Sequence, residues 1–124
     1  MIDFKNGSVI KLAHADDHAY DRVISPLLID GEDVIAAYKS VRDGVVFTEK
    51  RIFAINVQGI TGMKVDCTSL PYSKIQAFSV ETPGVLDLDG ELALWFSGLG
   101  QVRFEFRGAK ALRQICRVIS EHVL

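Results

Sequence analysis

Along most of the chain, apolar and polar positions alternate with a period of two; near the end the period becomes helical. The densest stretch is residues 44–82, GVVFTEKRIFAINVQGITGMKVDCTSLPYSKIQAFSVET. Val45 to Phe47 and Ile52 to Val57 are β-branched and aromatic, which suits a pleated, half-buried surface. Thr48-Glu49-Lys50-Arg51 joins them as a tight turn. Gln58-Gly59 and Thr61-Gly62 interrupt the pattern, since glycine supplies the positive φ that a turn needs. Met63, Val65 and Cys67 then alternate with Lys64, Asp66 and Thr68. Pro71 breaks the ladder because it has no N–H to give, and Ser73 to Thr82 resumes it until Pro83-Gly84. Four consecutive strands are predicted here.

A strand is predicted before this stretch, Val34 to Lys39, with Val41-Arg42-Asp43-Gly44 as its turn. Two more follow, Glu91 to Phe96 and Gln101 to Arg107. In the last, Val102, Phe104 and Phe106 alternate with Arg103, Glu105 and Arg107. From residue 109 to 124 the period changes. Leu112, Ile115, Cys116, Ile119 and Val123 form one apolar stripe of a helix, opposite Lys110, Arg113, Gln114, Arg117 and Glu121. Upstream, Asp16 or Asp17 is a candidate N-cap for a helix from about His18 to Ser25, with Pro26 kinking or restarting it and Asp30-Gly31 ending it. Residues 1–13 carry no clear pattern. The fold class is mainly β: seven antiparallel strands, as a barrel or sandwich, capped by a C-terminal α-helix. A short N-terminal helical extension, residues 1–30, precedes a domain at 31–124 that forms a single globular unit.

The 124 residues suit one domain, and 48% hydrophobic with 24% charged residues is ordinary for a folded soluble chain. A net charge of −2 gives no overall pull toward nucleic acid, so none is expected as a partner. The apolar runs are far shorter than a bilayer span, and Met1-Ile2-Asp3-Phe4-Lys5 lacks a signal-peptide pattern; a cytoplasmic location is the expectation. Cys67 and Cys116 lack metal-ligand spacing and read as buried free thiols.

The order of strands followed by one helix is that of a pleckstrin-homology-like domain, and particular segments resemble the bacterial pleckstrin-homology family. They are Leu27-Leu28 with Gly31-Glu32, Val41-Arg42-Asp43, Phe47-Thr48-Glu49-Lys50-Arg51 and Gly59-Ile60-Thr61-Gly62-Met63-Lys64. Next come Pro71-Tyr72-Ser73-Lys74-Ile75, Phe78-Ser79-Val80-Glu81-Thr82, and Asp87-Leu88-Asp89 with Glu91-Leu92 and Trp95. The resemblance covers about residues 16–124. It implies a curved β-barrel with a helix cap, assembly into cyclic homo-oligomers, and no catalytic residues.

The candidate sites are few. Lys39 and Arg42 flank the first hairpin and Lys50 and Arg51 sit at the second; converging cations could hold an anionic ligand, although Asp43 and Glu49 interrupt them. His14 and His18 would share a face on a helix, but Ala15 stands where a zinc-protease pattern needs Glu, and no third ligand is apparent. Asp87, Asp89 and Glu91 lack a calcium-loop pattern, and Ser73 and Ser79 lack a histidine at useful spacing. No metal, cofactor or catalytic residue is assigned. Trp95 points away from Leu92, Leu94 and Phe96 by strand parity, so it is a candidate interface residue together with Tyr72 and Phe78. The reading is a non-catalytic, self-assembling interaction module that binds a protein or peptide partner. The alternative is binding of anionic lipid through the first two hairpins.

Overall fold

The alternating segments lie side by side in one eight-stranded sheet, ordered β5-β4-β3-β2-β1-β8-β7-β6. The computed structural model describes residues 9–59, 64–81, 89–107 and 112–124. In chain order the elements are β1 (Val9–Ala15), α1 (Asp21–Ile24), a 3₁₀ turn (Ser25–Leu27), β2 (Val34–Ser40), β3 (Asp43–Thr48) and β4 (Arg51–Gln58). They continue with β5 (Lys64–Pro71), a second 3₁₀ turn (Tyr72–Lys74), β6 (Ile75–Glu81), β7 (Asp89–Phe96), β8 (Gly100–Arg107) and α2 (Leu112–Val123). The expected turn at Thr61-Gly62, the stop at Pro83-Gly84, Asp87 and the start of the last helix lie outside the described residues.

Mainly β with a C-terminal helix is what the sequence leads one to expect, but the strand number is eight rather than seven. The additional strand is β1. It pairs antiparallel with β2 and parallel with β8, from Val9↔Arg103 to Ala13↔Arg107. Residues before position 30 are therefore not a helical extension alone, because they supply a central strand of the same sheet. The expected helix from His18 to Ser25 shortens to a four-residue α1 followed by the 3₁₀ turn, with Pro26 in the first positions of that turn. Asp16 is not the cap of this helix: its Oδ1 accepts from the His18 N–H at 2.9 Å in the turn before it, and α1 begins after Tyr20 with no side-chain cap.

Every strand contributes to one inner cluster, from Leu12 of β1 and Tyr38 of β2 through Phe47, Ile52 and Leu70 to Ile75, Leu92 and Phe104. A flat sheet could not bring all eight strands to one cluster, so the sheet curls around it. Leu112, Ile115 and Ile119 of α2 plug the opening with the predicted stripe. Four aromatic rings stack edge-on inside, Tyr38 against Phe47 and Phe106, and Phe47 against Phe104.

The outer face of β2 to β4 is also covered. Tyr20, Val23, Ile24 and Leu28 lie on Ala37, Val46, Phe53 and Ile55. The half-buried strand expected from its residue types is thus buried on both faces along the whole of β3. Ile24 is fully enclosed, worth about 2 kcal/mol for a side chain of its size. The close approach depends on Gly44. A Cβ there would lie 2.2 Å from Tyr20 Cζ, and the Tyr20 hydroxyl donates to the Asp43 carbonyl at 3.2 Å.

The first hairpin differs from the Asp-Gly turn read from sequence. Ser40 pairs with Asp43, so Asp43-Gly44 are already in β3 and the turn residues are Val41 and Arg42. Val41 has φ +32°, unusual for a β-branched residue, and its side chain is fully exposed.

Two stability outcomes follow. Val41→Gly should raise the free energy of unfolding by about 1 kcal/mol, read by denaturant titration, because it removes backbone strain and no contact. Gly44→Ala should lower it by about 1–3 kcal/mol through overpacking. Adding Tyr20→Ala should recover part of that loss, so that the two changes cost less together than separately.

Candidate functional site

The second hairpin is built on a buried charge. The Glu32 side chain has no solvent exposure, and Arg51 is mostly covered. Arg51 reaches it twice, Nε to Oε2 at 3.0 Å and a terminal nitrogen to Oε1 at 2.9 Å. The Thr48 hydroxyl donates to Oε2 at 2.7 Å and the Ile29 N–H to Oε1 at 3.1 Å. The same threonine oxygen accepts from the backbone N–H groups of Lys50 and Arg51, which fixes the turn. Arg51 also donates to the Leu27 carbonyl and to Ser69, and stacks over the Phe53 ring at 4.4 Å. Tyr72 closes the group from below, its hydroxyl donating to the Thr48 carbonyl at 2.6 Å. Burial alone would raise the Glu32 pKa, but the hydrogen bonds from Arg51, Thr48 and the Ile29 N–H outweigh it and hold the carboxyl below its ordinary value. Sequence reading matched Glu32 only as part of a family segment, and nothing local marks it as the partner of Arg51.

The four basic candidates do not come together. Lys39 and Arg42 lie at the β2–β3 end, where Arg42 donates to the Gly59 carbonyl. Lys50 and Arg51 lie at the β3–β4 end, separated by the six residues of β3, about 20 Å of strand. Arg51 is committed to Glu32, so the two hairpins form no shared basic cluster.

The aromatic candidates divide as well. Tyr72 is fully buried in the inner cluster, so as an interface residue it is corrected: its ring fills the space under α2 and its hydroxyl is spent on Thr48. Phe78 packs against the edge of the same cluster and is only partly exposed. Trp95 is on the outer face, as parity requires, and is 37% exposed. Its rung neighbours are Ala77 and Gln101, and Ala93 beside it pairs with Ser79 and Arg103. Small side chains thus leave one face of the ring open, next to an ion pair between Arg103 and Glu91.

Trp95 lies one strand in from an open edge. β5 and β6 end the sheet, each with a neighbour on one side only. Lys64, Val65, Asp66 and Ser69 on β5 are exposed, as are Gln76, Ala77, Ser79, Val80 and Glu81 on β6. Such rows of unpaired backbone groups can accept a further strand.

The remaining candidates are dispersed. His14 sits in β1 with its ring edge-on to Tyr38, while His18 sits in the following turn and bonds Asp21 at 2.9 Å, so they share no helix face. Cys67 and Cys116 are partly buried, and burial pushes the Cys116 thiol up to about 11 and raises that of Cys67. Both are protonated at neutral pH and are weak nucleophiles. Among the described residues no helix is long and apolar enough to cross a membrane.

A curled sheet with consecutive hairpins and a C-terminal helix plug defines a pleckstrin-homology fold. The sequence matches the bacterial PH domain family over residues 3–123, and the chain belongs to that family. It is similar to the uncharacterized protein YjqA of Bacillus subtilis (strain 168), with 43% identity over 104 residues, 82% of this chain and 83% of YjqA. Its fold is similar to that of a DUF1696 family protein with a pleckstrin-homology domain from Shewanella loihica PV-4, at TM-score 0.68 and 34% identity over 93% of this chain and 99% of that one. A pleckstrin homology domain from Shewanella amazonensis SB2B gives TM-score 0.59 and 40% identity over 89% of this chain and 90% of its own.

The lowered pKa of Glu32 fixes a direction for stability against pH. A carboxyl held down in the folded state contributes stability above its unfolded pKa of about 4.3, and that contribution disappears as pH falls through the folded value. Glu32→Gln should therefore flatten the loss of stability on acidification, measured by urea unfolding from pH 6 down to 3. Arg51→Met, which leaves the carboxylate buried without its partner, should cost about 3–5 kcal/mol at pH 7.

Proposed function

We propose that this bacterial PH domain is a non-catalytic, self-assembling interaction module of the cytoplasm. The observation that carries the reading is the pair of open edges at the two ends of a single sheet. An edge on each side of one molecule allows head-to-tail contact between copies, which closes into a ring when the rotation permits. The side chains of the two edges are compatible. An antiparallel register that sets Val65 of one copy against Val80 of the next also sets Lys64 against Glu81 and Cys67 against Phe78. Trp95, next to β6, supplies a large apolar area for the incoming strand to cover. Repeated copies of the outer surface would then engage a protein partner through many weak contacts. On a copy whose edge is not filled, an extended peptide adds as a strand in the same manner.

Light scattering on a sizing column tests this over a range of concentrations. The expected species is several-fold larger than the 13.7 kDa chain. Val80→Lys and Trp95→Ala should shift it toward monomer while leaving thermal unfolding of the monomer nearly unchanged. A wild-type monomer at every concentration, or variants that lose folding rather than association, would overturn the reading.

A further inference from the structure

A hollow of about 320 Å³ opens where the β3–β4 turn, the end of β5, the Tyr72–Lys74 turn and the last turn of α2 meet. It lies at the opposite end of β3 from the first hairpin, so it is separate from the Lys39 and Arg42 positions. Glu32 and Arg51 line part of it and neutralise each other. That leaves Lys50 as the unbalanced charge, exposed, with no side-chain partner among the described residues.

Hydroxyl groups stand on two sides of it. Ser69 Oγ accepts from Arg51 at 3.3 Å, which leaves its own proton free to be donated. Ser73, on the neighbouring 3₁₀ turn, is exposed and faces the same space. His122 forms the far wall and is held in place: Nδ1 donates to the Val118 carbonyl at 2.8 Å and the ring packs on Tyr72 at 5.6 Å between centroids. The rest of the wall is apolar. Ile29 is 56% exposed there, and Pro71 stands beside it.

One free cation, two hydroxyl donors and an apolar wall make a site for one kind of group. We infer that this hollow binds a small carboxylate carried by an apolar stub, the carboxylate taken by Lys50, Ser69 and Ser73 and the stub resting on Ile29 and Pro71. A cation with hydroxyl donors provides charge-assisted hydrogen bonds to a carboxylate. Small-ligand sites are mostly apolar with a few placed polar groups, and the balance of this wall fits that pattern better than it fits a fully hydrated phosphate. The backbone of the turn that carries Lys50 is held by the Thr48 and Tyr72 contacts, and the His122 ring by its contacts with Val118 and Tyr72. Ser69 and Pro71 come from the end of the β5 edge, so the site borders that edge, whereas Lys50, Ser73, Ile29 and His122 lie outside both edge strands.

The test is a titration of the ¹⁵N-labelled protein with hexanoate, hexanamide and inorganic phosphate at constant ionic strength. Hexanoate should give saturable shifts centred on Lys50, Ser69, Ser73 and His122. Its apparent affinity should exceed that of hexanamide and of phosphate by about fivefold or more, as expected for a charge-assisted contact backed by an apolar one. Lys50→Gln should reduce hexanoate binding by a similar factor, Ile29→Ser should bring hexanoate down to the level of phosphate, and Lys39→Gln should change nothing. Lys50 and Ile29 are exposed, and unchanged melting of both variants confirms that they fold. Shifts that do not saturate, hexanamide binding as tightly as hexanoate, phosphate binding as tightly as hexanoate, or binding insensitive to Lys50→Gln would each overturn the assignment.

Discussion

Glu32 is a carboxylate sealed from water, and much of this molecule is arranged to make that tolerable. An isolated buried charge is costly, so it persists only where hydrogen bonds saturate it. Here Arg51, Thr48 and the Ile29 N–H do so. Two of the donors belong to the β3–β4 turn and the third to the segment that carries Glu32, so satisfying one carboxylate fixes these two segments against each other. The segment ending in Glu32 is drawn onto the outer face of β3 and β4, which encloses Ile24 and buries β3 on both sides. The same threonine sets the β3–β4 turn, and its carbonyl receives Tyr72 from the link between β5 and β6. The buried Glu32 carboxylate thus acts as a positional constraint on the segments that meet it.

The sheet divides into two unequal surfaces as a result. On the β2–β5 side the N-terminal segment occupies the outer face and leaves little for a partner. On the β6–β8 side that face carries Trp95, small residues and the Arg103–Glu91 pair, and nothing else in the described chain lies over it. The hollow beside Lys50 lies near the boundary of these two halves, at the end where the edge strands are joined. Self-covering on one side and exposure on the other give the domain a direction.

Where neighbouring residues decide the structure, the sequence could be read. The period-two runs of β4, β7 and β8 and the apolar stripe of α2 each report which face is buried, and they do so without reference to the rest of the fold. β1 was not legible for a physical reason. Its alternation around Leu12 is brief, it follows Gly7-Ser8, and its parallel partner lies at the far end of the chain. The hairpin at Val41 was misplaced because Asp-Gly is a strong local turn signal, and pairing of Ser40 with Asp43 overrides it at the expense of an unfavourable Val41 conformation. Site residues fared unevenly. The outward direction of Trp95 follows from parity alone. The burial of Tyr72, the separation of the basic residues and the Glu32–Arg51 pair all depend on how hairpins stack in space, which no spacing along the chain encodes.

The place of β1 has a consequence in time. Among the described strands it is made first, and its parallel partner, β8, is made last. Until β8 emerges, one side of β1 has no neighbour, and the inner cluster lacks Phe104 and Phe106. During that interval β1 and β7 lack a neighbour in addition to the native edges β5 and β6, and the exposed backbone and apolar surface are of the kind that invites wrong pairing. Contacts of such long sequence separation also slow folding, since the connecting loop must be ordered before it is rewarded. The domain is consequently committed late, when nearly all of its chain is present, and a truncated product would keep the exposed intermediate rather than a smaller stable fold.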